Sequence, residues 1–456
     1  MSATTAAQPA RNEPPEPRVP LAGRIIWALR DPLDYLCTLE RECGPIVMLR
    51  KQYSYGLFHP DLVKHVLQDN HPNYIRGERY RKTMAPLMGT GLFNSEGAVW
   101  QRQRRMAQPA FSKKNLESFA PAVLHCVETM FERWRSHCLR GEPVHLRNEY
   151  ARLMLHVVLL GTFGVDAENE MDQLNEADAL IHNEISLAKA FLPFRIPRWV
   201  PTPGNLRFQR GLGIFNDFAY RVITNRRKMA DPGTDLLGRF VRAVDEETGG
   251  RMDDKQLRDE MMTFIHAGHD TVADALAWFT IMLARHPHIQ QQLRTEIESV
   301  AGKQPLAPGA AQELPLFQRI FHETSRLYPS AWAFARVAVE PDTIGGYRIP
   351  AGAFVAVSSY VTGRSPRYWD DPERFDPDRF LPERSEGRHR FAFFPFGGGP
   401  HLCIGQGLAF LQMALILSRV LQTFDFRIED AESIVPAPRI SLRPNGPVIT
   451  HLRLRN

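Results

Sequence analysis

The chain has 456 residues, 43% of them hydrophobic and 23% charged, an ordinary globular composition with ample length for a large core. Its 56 basic and 51 acidic residues leave a formal charge of +5, too mild to imply nucleic acid, so any basic partner surface is local. Five cysteines (Cys37, Cys43, Cys126, Cys138, Cys403) form an odd set without framework spacing, which argues for a reducing compartment.

The N-terminal stretch "MSATTAAQPARNEPPEPRVPLAG" is polar and proline-rich and lacks the apolar core of a signal peptide. Residues 1–20 are expected to be disordered, and residues 21–456 to form one domain. "RIIWAL" is far short of the roughly 20 apolar residues of a membrane span. The chain therefore reads as cytoplasmic, without a membrane anchor. "GPIVMLRKQYSYGLFHPDLVKHVL" (44–67) predicts two short strands and a helix after Pro60. From about 96 to 300 apolar residues recur at i, i+3, i+4, the helical period. Pro193, Pro197, Pro201 and Pro203 break that run and predict a loop over 191–208. A long helix is expected from about Asp253 to His286, stopped by Pro287. "GGYRIPAGAFVAVSSYV" (345–361) predicts strands around a Pro-Ala-Gly turn. No repeat and no internal linker is evident.

One stretch, "FPFGGGPHLCIGQGLAF", surrounds a single cysteine with glycines and then turns apolar at helical spacing. Glycines permit backbone conformations closed to other residues and let a bulky flat group approach. A thiolate just before a helix is stabilised by free N–H groups and the helix dipole. No nearby Cys or His spacing supports zinc. What remains suits either a nucleophile or an axial ligand to haem iron.

"FGGGPHLCIG" resembles the haem-binding loop of the cytochrome P-450 superfamily, matching its fixed positions with Phe396, Gly399, His401, Cys403 and Gly405. The resemblance implies a mainly α fold with a small β portion, a triangular helix-rich single domain, haem b as cofactor and Cys403 as iron ligand. Further segments match in order. Glu323 and Arg326 in "FHETSRLYPS" resemble the family's Glu-x-x-Arg pair, with Arg374 in "DDPERFDPDRF" (370–380) as the expected third member of a structural network. Ala267, Gly268, Asp270 and Thr271 in "FIHAGHDTVADAL" resemble the oxygen-binding segment, where an acid beside a hydroxyl relays protons. An isolated threonine there could equally bond back to a carbonyl of its own helix. His269 is read as facing away. Trp100, Arg104, Arg336 and His401 match positions that hold haem propionates. Gly363 stands where many relatives carry histidine.

The implied activity is monooxygenation of a hydrophobic small molecule (terpenoid, fatty acyl or polyketide-like) with O2 as co-substrate. The sequence has neither a dinucleotide fingerprint nor an iron–sulfur cysteine set. NAD(P)H electrons are therefore expected through a separate ferredoxin and ferredoxin reductase, or a flavodoxin, to a monomer. Arg102, Arg105, Lys113 and Lys114 could dock an acidic partner, or form an ordinary solvated face. By family analogy the pocket draws on Met84, Leu87, Met88, Leu92, Phe191, Phe194, Met262, Ile265, Trp332 and Phe334, each of which could equally be core. Two rival readings stand beside this one. The first is a peroxide-driven peroxygenase, or a haem-thiolate isomerase or dehydratase. The second is a non-catalytic haem sensor or carrier.

Overall fold

The computed structural model describes residues 13–182, 184–185, 197–244 and 249–455. It is 61% helical with small sheets, as a mainly α reading requires. Two compact units form, one from Met1–Tyr80, Ala331–Phe375 and Pro382–Cys403, the other from Arg81–Ser330, Asp376–Leu381 and Ile404–Asn456. No composition break marks their boundaries.

The first unit is built on a five-stranded sheet in the order Ile46–Arg50, Ser54–Leu57, Phe354–Val357, Phe334–Ala338, Tyr74–Ile75. Ser54–Leu57 runs parallel to Phe354–Val357, and the other pairings are antiparallel. Ile46, Met48, Leu57, Val355 and Val357 pack its core. The strands expected in 44–67 are the first two. Of those expected in 345–361, Phe354–Val357 joins this sheet, while Tyr347–Ile349 pairs with Asp342–Ile344 in a separate two-stranded sheet. A short helix, Pro60–Lys64, begins at Pro60 as predicted. Part of the segment expected to be disordered is ordered: Met48 N–H donates to the Pro15 carbonyl, and Pro14 and Pro17 are buried.

The second unit is helical. Its helices include Gly97–Ala107, Ala120–Arg140, Leu146–Val157, Met171–His182, Pro203–Lys228, Asp254–Gly268, Asp270–Arg285, Pro315–Leu327 and Gln406–Thr423. Pro203 opens a helix rather than continuing the expected loop. Its fixed φ suits the first helical position, and Thr202 caps it by accepting from Asn205 N–H. The helix expected over 253–286 starts as predicted, with Asp253 accepting from Gln256 N–H. It is interrupted at His269, where ψ falls to -75. Asp270–Arg285 packs on Leu146–Val157, and Met171–His182 on Pro203–Lys228. Trp278 stacks on Tyr328 at 3.8 Å and donates to the Leu442 carbonyl. The helix ending at Thr423 is long and apolar enough to cross a membrane, but most of it is buried among its neighbours.

Candidate active site

In the first unit, the loop ahead of Cys403 is shaped by its glycines. Gly397 and Gly399 have φ of 76 and 63, the left-handed region. A Cβ on Gly399 would lie 2.0 Å from the Leu67 carbonyl oxygen, and one on Gly398 2.3 Å from the Phe391 ring. The loop therefore closes only with glycine at both positions. Cys403 N–H donates to the Phe396 carbonyl at 3.1 Å, which fixes the cysteine backbone, and the Cys403 side is exposed. The other cysteines differ. Burial pushes the Cys37 and Cys126 thiols up to about 12, and it raises Cys43 and Cys138 as well. These are inert thiols.

The same unit gathers cations. Arg336, buried on its strand, has its guanidinium tied to the Ala335 carbonyl at 2.8 Å. His401 Nδ1 lies 3.5 Å from an Arg76 nitrogen, and the His71 ring stands 6.4 Å from the His401 ring. Burial pushes the Tyr80 phenol up while Arg76 and Arg336 pull against it, so both guanidiniums act at one place. Arg76 belongs to no motif and escaped sequence reasoning. Phe334 packs against Phe394, with ring centroids 5.9 Å apart, and Trp332 is buried.

In the second unit, Trp100 and Arg104 are half-buried on one helix, as their spacing predicts. The structure brings Thr271 to Ala267: the Thr271 hydroxyl donates to the Ala267 carbonyl at 2.7 Å. Ala267 is exposed, Gly268 and Thr271 are half-buried, and a Cβ on Gly268 would meet Val158 at 3.2 Å. Asp270 is not joined to Thr271. Its carboxylate is buried, engaged by Arg147 on one oxygen and by His182 Nε2 at 3.0 Å on the other. Arg147 also donates to Asp274 at 2.9 Å, and Ser441 to the other Asp274 oxygen at 2.6 Å. Burial opposes ionisation of Asp270, yet His182 and Arg147 hold its carboxyl well below the usual range. His269 is fully buried and turns its ring toward Asp178 and Asp270.

The expected structural network forms with a different third member. Glu323 accepts from Arg326 Nε at 2.6 Å and Nη2 at 2.7 Å, from Asp376 N–H at 2.8 Å and from Arg379 Nε at 3.3 Å. Arg379 is buried, whereas Arg374 is exposed. The assignment to Arg374 is corrected to Arg379. "PERF" and "PDRF" stand in tandem, and only packing selects between two similar quartets.

Gly405 precedes the Gln406–Thr423 helix with φ -89, an ordinary value. Met84, Leu87, Met88, Leu92, Met262 and Ile265 are buried. Phe191 and Phe194 lie outside the described residues. The cavity of about 430 Å³ beside Arg147 is polar, bounded by His145, Asn148, Arg439 and Arg443, and none of the expected pocket residues lines it.

The cytochrome P450 family model matches residues 14–451. The chain is 32% identical to cyclooctatin synthase of Streptomyces melanosporofaciens, over 96% of each chain. It is 30% identical to pentalenene oxygenase of Streptomyces avermitilis, over 92% of each. The crystal structure of the cytochrome P450DA heme domain superposes with a TM-score of 0.88 at 25% identity, covering 98% of both chains. The chain belongs to the cytochrome P450 family. It is an oxidoreductase of the monooxygenase class, with haem b as cofactor, O2 as co-substrate and NAD(P)H-derived electrons arriving through partner proteins.

The residues present fit haem. The glycine loop, packed too closely on Leu67 and Phe391 for any Cβ, fixes the backbone ahead of Cys403. Cys403 is exposed as an iron ligand must be, and Arg76, Arg336 and His401 offer donors for carboxylates.

Proposed function

We propose that this chain is a cytoplasmic, monomeric monooxygenase that hydroxylates or epoxidises a hydrophobic small molecule of terpenoid kind. A separate ferredoxin and ferredoxin reductase, or a flavodoxin, would supply electrons. The observation that carries the reading is Cys403, exposed and backbone-fixed at the end of a glycine loop, while half-buried Cys37 and buried Cys126 have their thiols pushed up and are inert. In this reading Cys403 ligates the iron through its thiolate. Haem so ligated supplies the oxygen-activating chemistry, the thiolate's electron density favouring O–O cleavage.

The chain's own residues orient and protonate. Arg336, His401 and Arg76 would hold propionates through charge-assisted hydrogen bonds, and Trp100 and Arg104 match sequence positions that do so in the family. Ala267 and Gly268 keep one helix face low, so a flat group and a small molecule can approach it. The Thr271 hydroxyl, resting on the Ala267 carbonyl, accepts and passes a proton by rotating away from that oxygen. Asp270, held ionised by Arg147 and His182, is the carboxylate behind it; on exchanging one of those partners for water it would take up a solvent proton and pass it through water to Thr271.

The terpenoid choice is supported by relatives named pentalenene oxygenase and cyclooctat-9-en-7-ol 5-monooxygenase. The apolar side chains Met84, Leu87, Met88, Leu92, Trp332 and Phe334 suit such a substrate. Exposed Arg105, Lys113 and Lys114, beside Arg102, form a patch for an acidic redox protein.

The test is spectroscopic first. The reduced protein under carbon monoxide is expected to show the long-wavelength Soret band of thiolate ligation, and Cys403→Ser to abolish it. NADH-dependent product formation with a surrogate ferredoxin pair is expected at low salt and to weaken as salt rises. Turnover with hydrogen peroxide alone would overturn the partner-supplied reading.

A further inference from the structure

Behind Asp270, four helical turns of the second unit converge on a buried polar cluster that the monooxygenase reading leaves largely unused. Asp178 Oδ1 lies 3.0 Å from His182 Nδ1, 3.5 Å from His266 Nδ1 and 3.6 Å from His269 Nδ1. None of these contacts has hydrogen-bond geometry. Among the described residues, Asp178 Oδ1 and both ring nitrogens of His266 and of His269 are buried without a hydrogen-bond partner. The His266 and His269 side chains are 1% exposed. Buried polar atoms are rarely left unpaired in a folded protein, so five in one place call for a ligand.

We propose that Asp178, His182 and His266 form a binding site for a zinc-like divalent cation. The donors are one carboxylate oxygen and two imidazole nitrogens, all within 4.8 Å of one another. Zinc bonds of about 2.0–2.2 Å place tetrahedral ligand atoms about 3.3–3.5 Å apart. The 3.5 Å separation of His266 Nδ1 from Asp178 Oδ1 lies on that edge, and the 3.0 Å one of His182 Nδ1 would open by a few tenths of an ångström on binding. His269 Nδ1 lies 3.6 Å from the same oxygen, in a second group with Asp178 and Asp270.

The surroundings are those of a metal histidine. His182 turns Nε2 to Asp270 Oδ2 at 3.0 Å. Burial opposes its charge, but the Asp178 and Asp270 carboxylates hold the imidazole well above its usual range, so a cation at Nδ1 would displace a proton there. The Asp178 carbonyl, 3.2 Å from His182 Nδ1, competes for that nitrogen, and cation binding breaks this contact. Burial pushes the His266 imidazole down, keeping it neutral with a lone pair available. Asp178 and His182 stand at i, i+4 on one helix, so both present their donors on one face, and His266 lies in the last turn of the Asp254–Gly268 helix. Because Asp270 is the acid proposed behind Thr271, a cation here would set the charge around the proton donor.

The experiment uses the haem-loaded protein, stripped with chelator, equilibrated with zinc and passed through gel filtration. Zinc and iron are then counted in the same sample by mass spectrometry. One zinc per haem iron is expected in wild type. In Asp178→Asn and His266→Gln the zinc is expected to fall while iron is kept, and Asp270→Asn is expected to weaken binding about tenfold to a hundredfold. The exposed His451→Gln is expected to change nothing. Substoichiometric zinc in wild type, or equal zinc in Asp178→Asn and His266→Gln, overturns the site. If those variants lose iron through misfolding, zinc X-ray absorption on wild type decides. Imidazole scattering from at least two histidines supports the proposal, and an all-oxygen shell ends it.

Discussion

Arg379 Nε stands 3.3 Å from Glu323 Oε1, inside a cluster where Arg326 already holds both oxygens of the same carboxylate. Breaking a buried ion cluster strands a charge, at about 3–5 kcal/mol. Arg379→Ala is therefore expected to lower stability by that amount and to reduce haem retention. Arg374→Ala, at an exposed position, should cost clearly less. Thermal melts and haem occupancy of the two variants, made in parallel, check the order; equal losses would reinstate Arg374 in the network.

The glycine loop gives a graded test. At Gly399 an alanine meets both the left-handed backbone and the Leu67 carbonyl at 2.0 Å. Strain of about 1–2 kcal/mol adds there to overpacking of about 1–3 kcal/mol. At Gly397 the nearest atom is a Phe334 ring carbon at 3.4 Å, so only the backbone strain applies. Gly399→Ala is expected to destabilise more than Gly397→Ala and to lose more haem, as read by melting temperature and the haem-to-protein absorbance ratio.

The turn that carries Leu67 is anchored by Asp342. Its carboxylate is met by His65 Nε2 at 2.7 Å, Tyr74 Oη at 2.7 Å, Asn70 Nδ2 at 3.0 Å and Thr343 N–H at 2.7 Å. Burial works against ionisation of Asp342, but these donors outweigh it and hold the carboxyl below its ordinary 3.8. The sign follows from linkage. A depressed carboxyl contributes stability above about pH 3.8, and that contribution is lost as pH falls through the folded value. Asp342→Asn is expected to be less stable than wild type at neutral pH, by about 1.5–3 kcal/mol, and the gap should close on acidification below about pH 3.8. Urea melts across pH measure it, and a gap that persists at low pH refutes the assignment.

Thr271→Ala removes the hydroxyl that donates to the Ala267 carbonyl. The residue is half-buried, so the fold should survive. The expected outcome is continued NADH oxidation with product falling tenfold or more, in line with loss of a positioned proton donor worth about 10²–10⁴ in rate. Unchanged coupling of NADH to product would remove Thr271 from the proton route.

Some of this was legible in the residues and some was not. The cysteine loop was readable because its demands are local: a left-handed backbone at Gly397 and Gly399 is written in those residues themselves. Helix caps such as Asp253 were readable for the same reason, since the acceptor and the Gln256 N–H lie within one turn. The Pro203 boundary misled because proline both breaks a helix and opens one, and the cap at Thr202 decides which.

Partners across the fold were beyond local reading. Asp270 was visible as an acid beside a hydroxyl, but its pairing with Arg147 and His182 depends on which helices cross, and buried charge forces that pairing once they do. Arg379 and Arg374 were indistinguishable as letters, and burial beside Glu323 chose between them. Thus the chain's own order of residues determined the cysteine loop and most helix limits, through backbone restraints acting over a few residues. Tertiary structure alone decided which charges meet, because Coulomb attraction and desolvation act through space rather than along the chain.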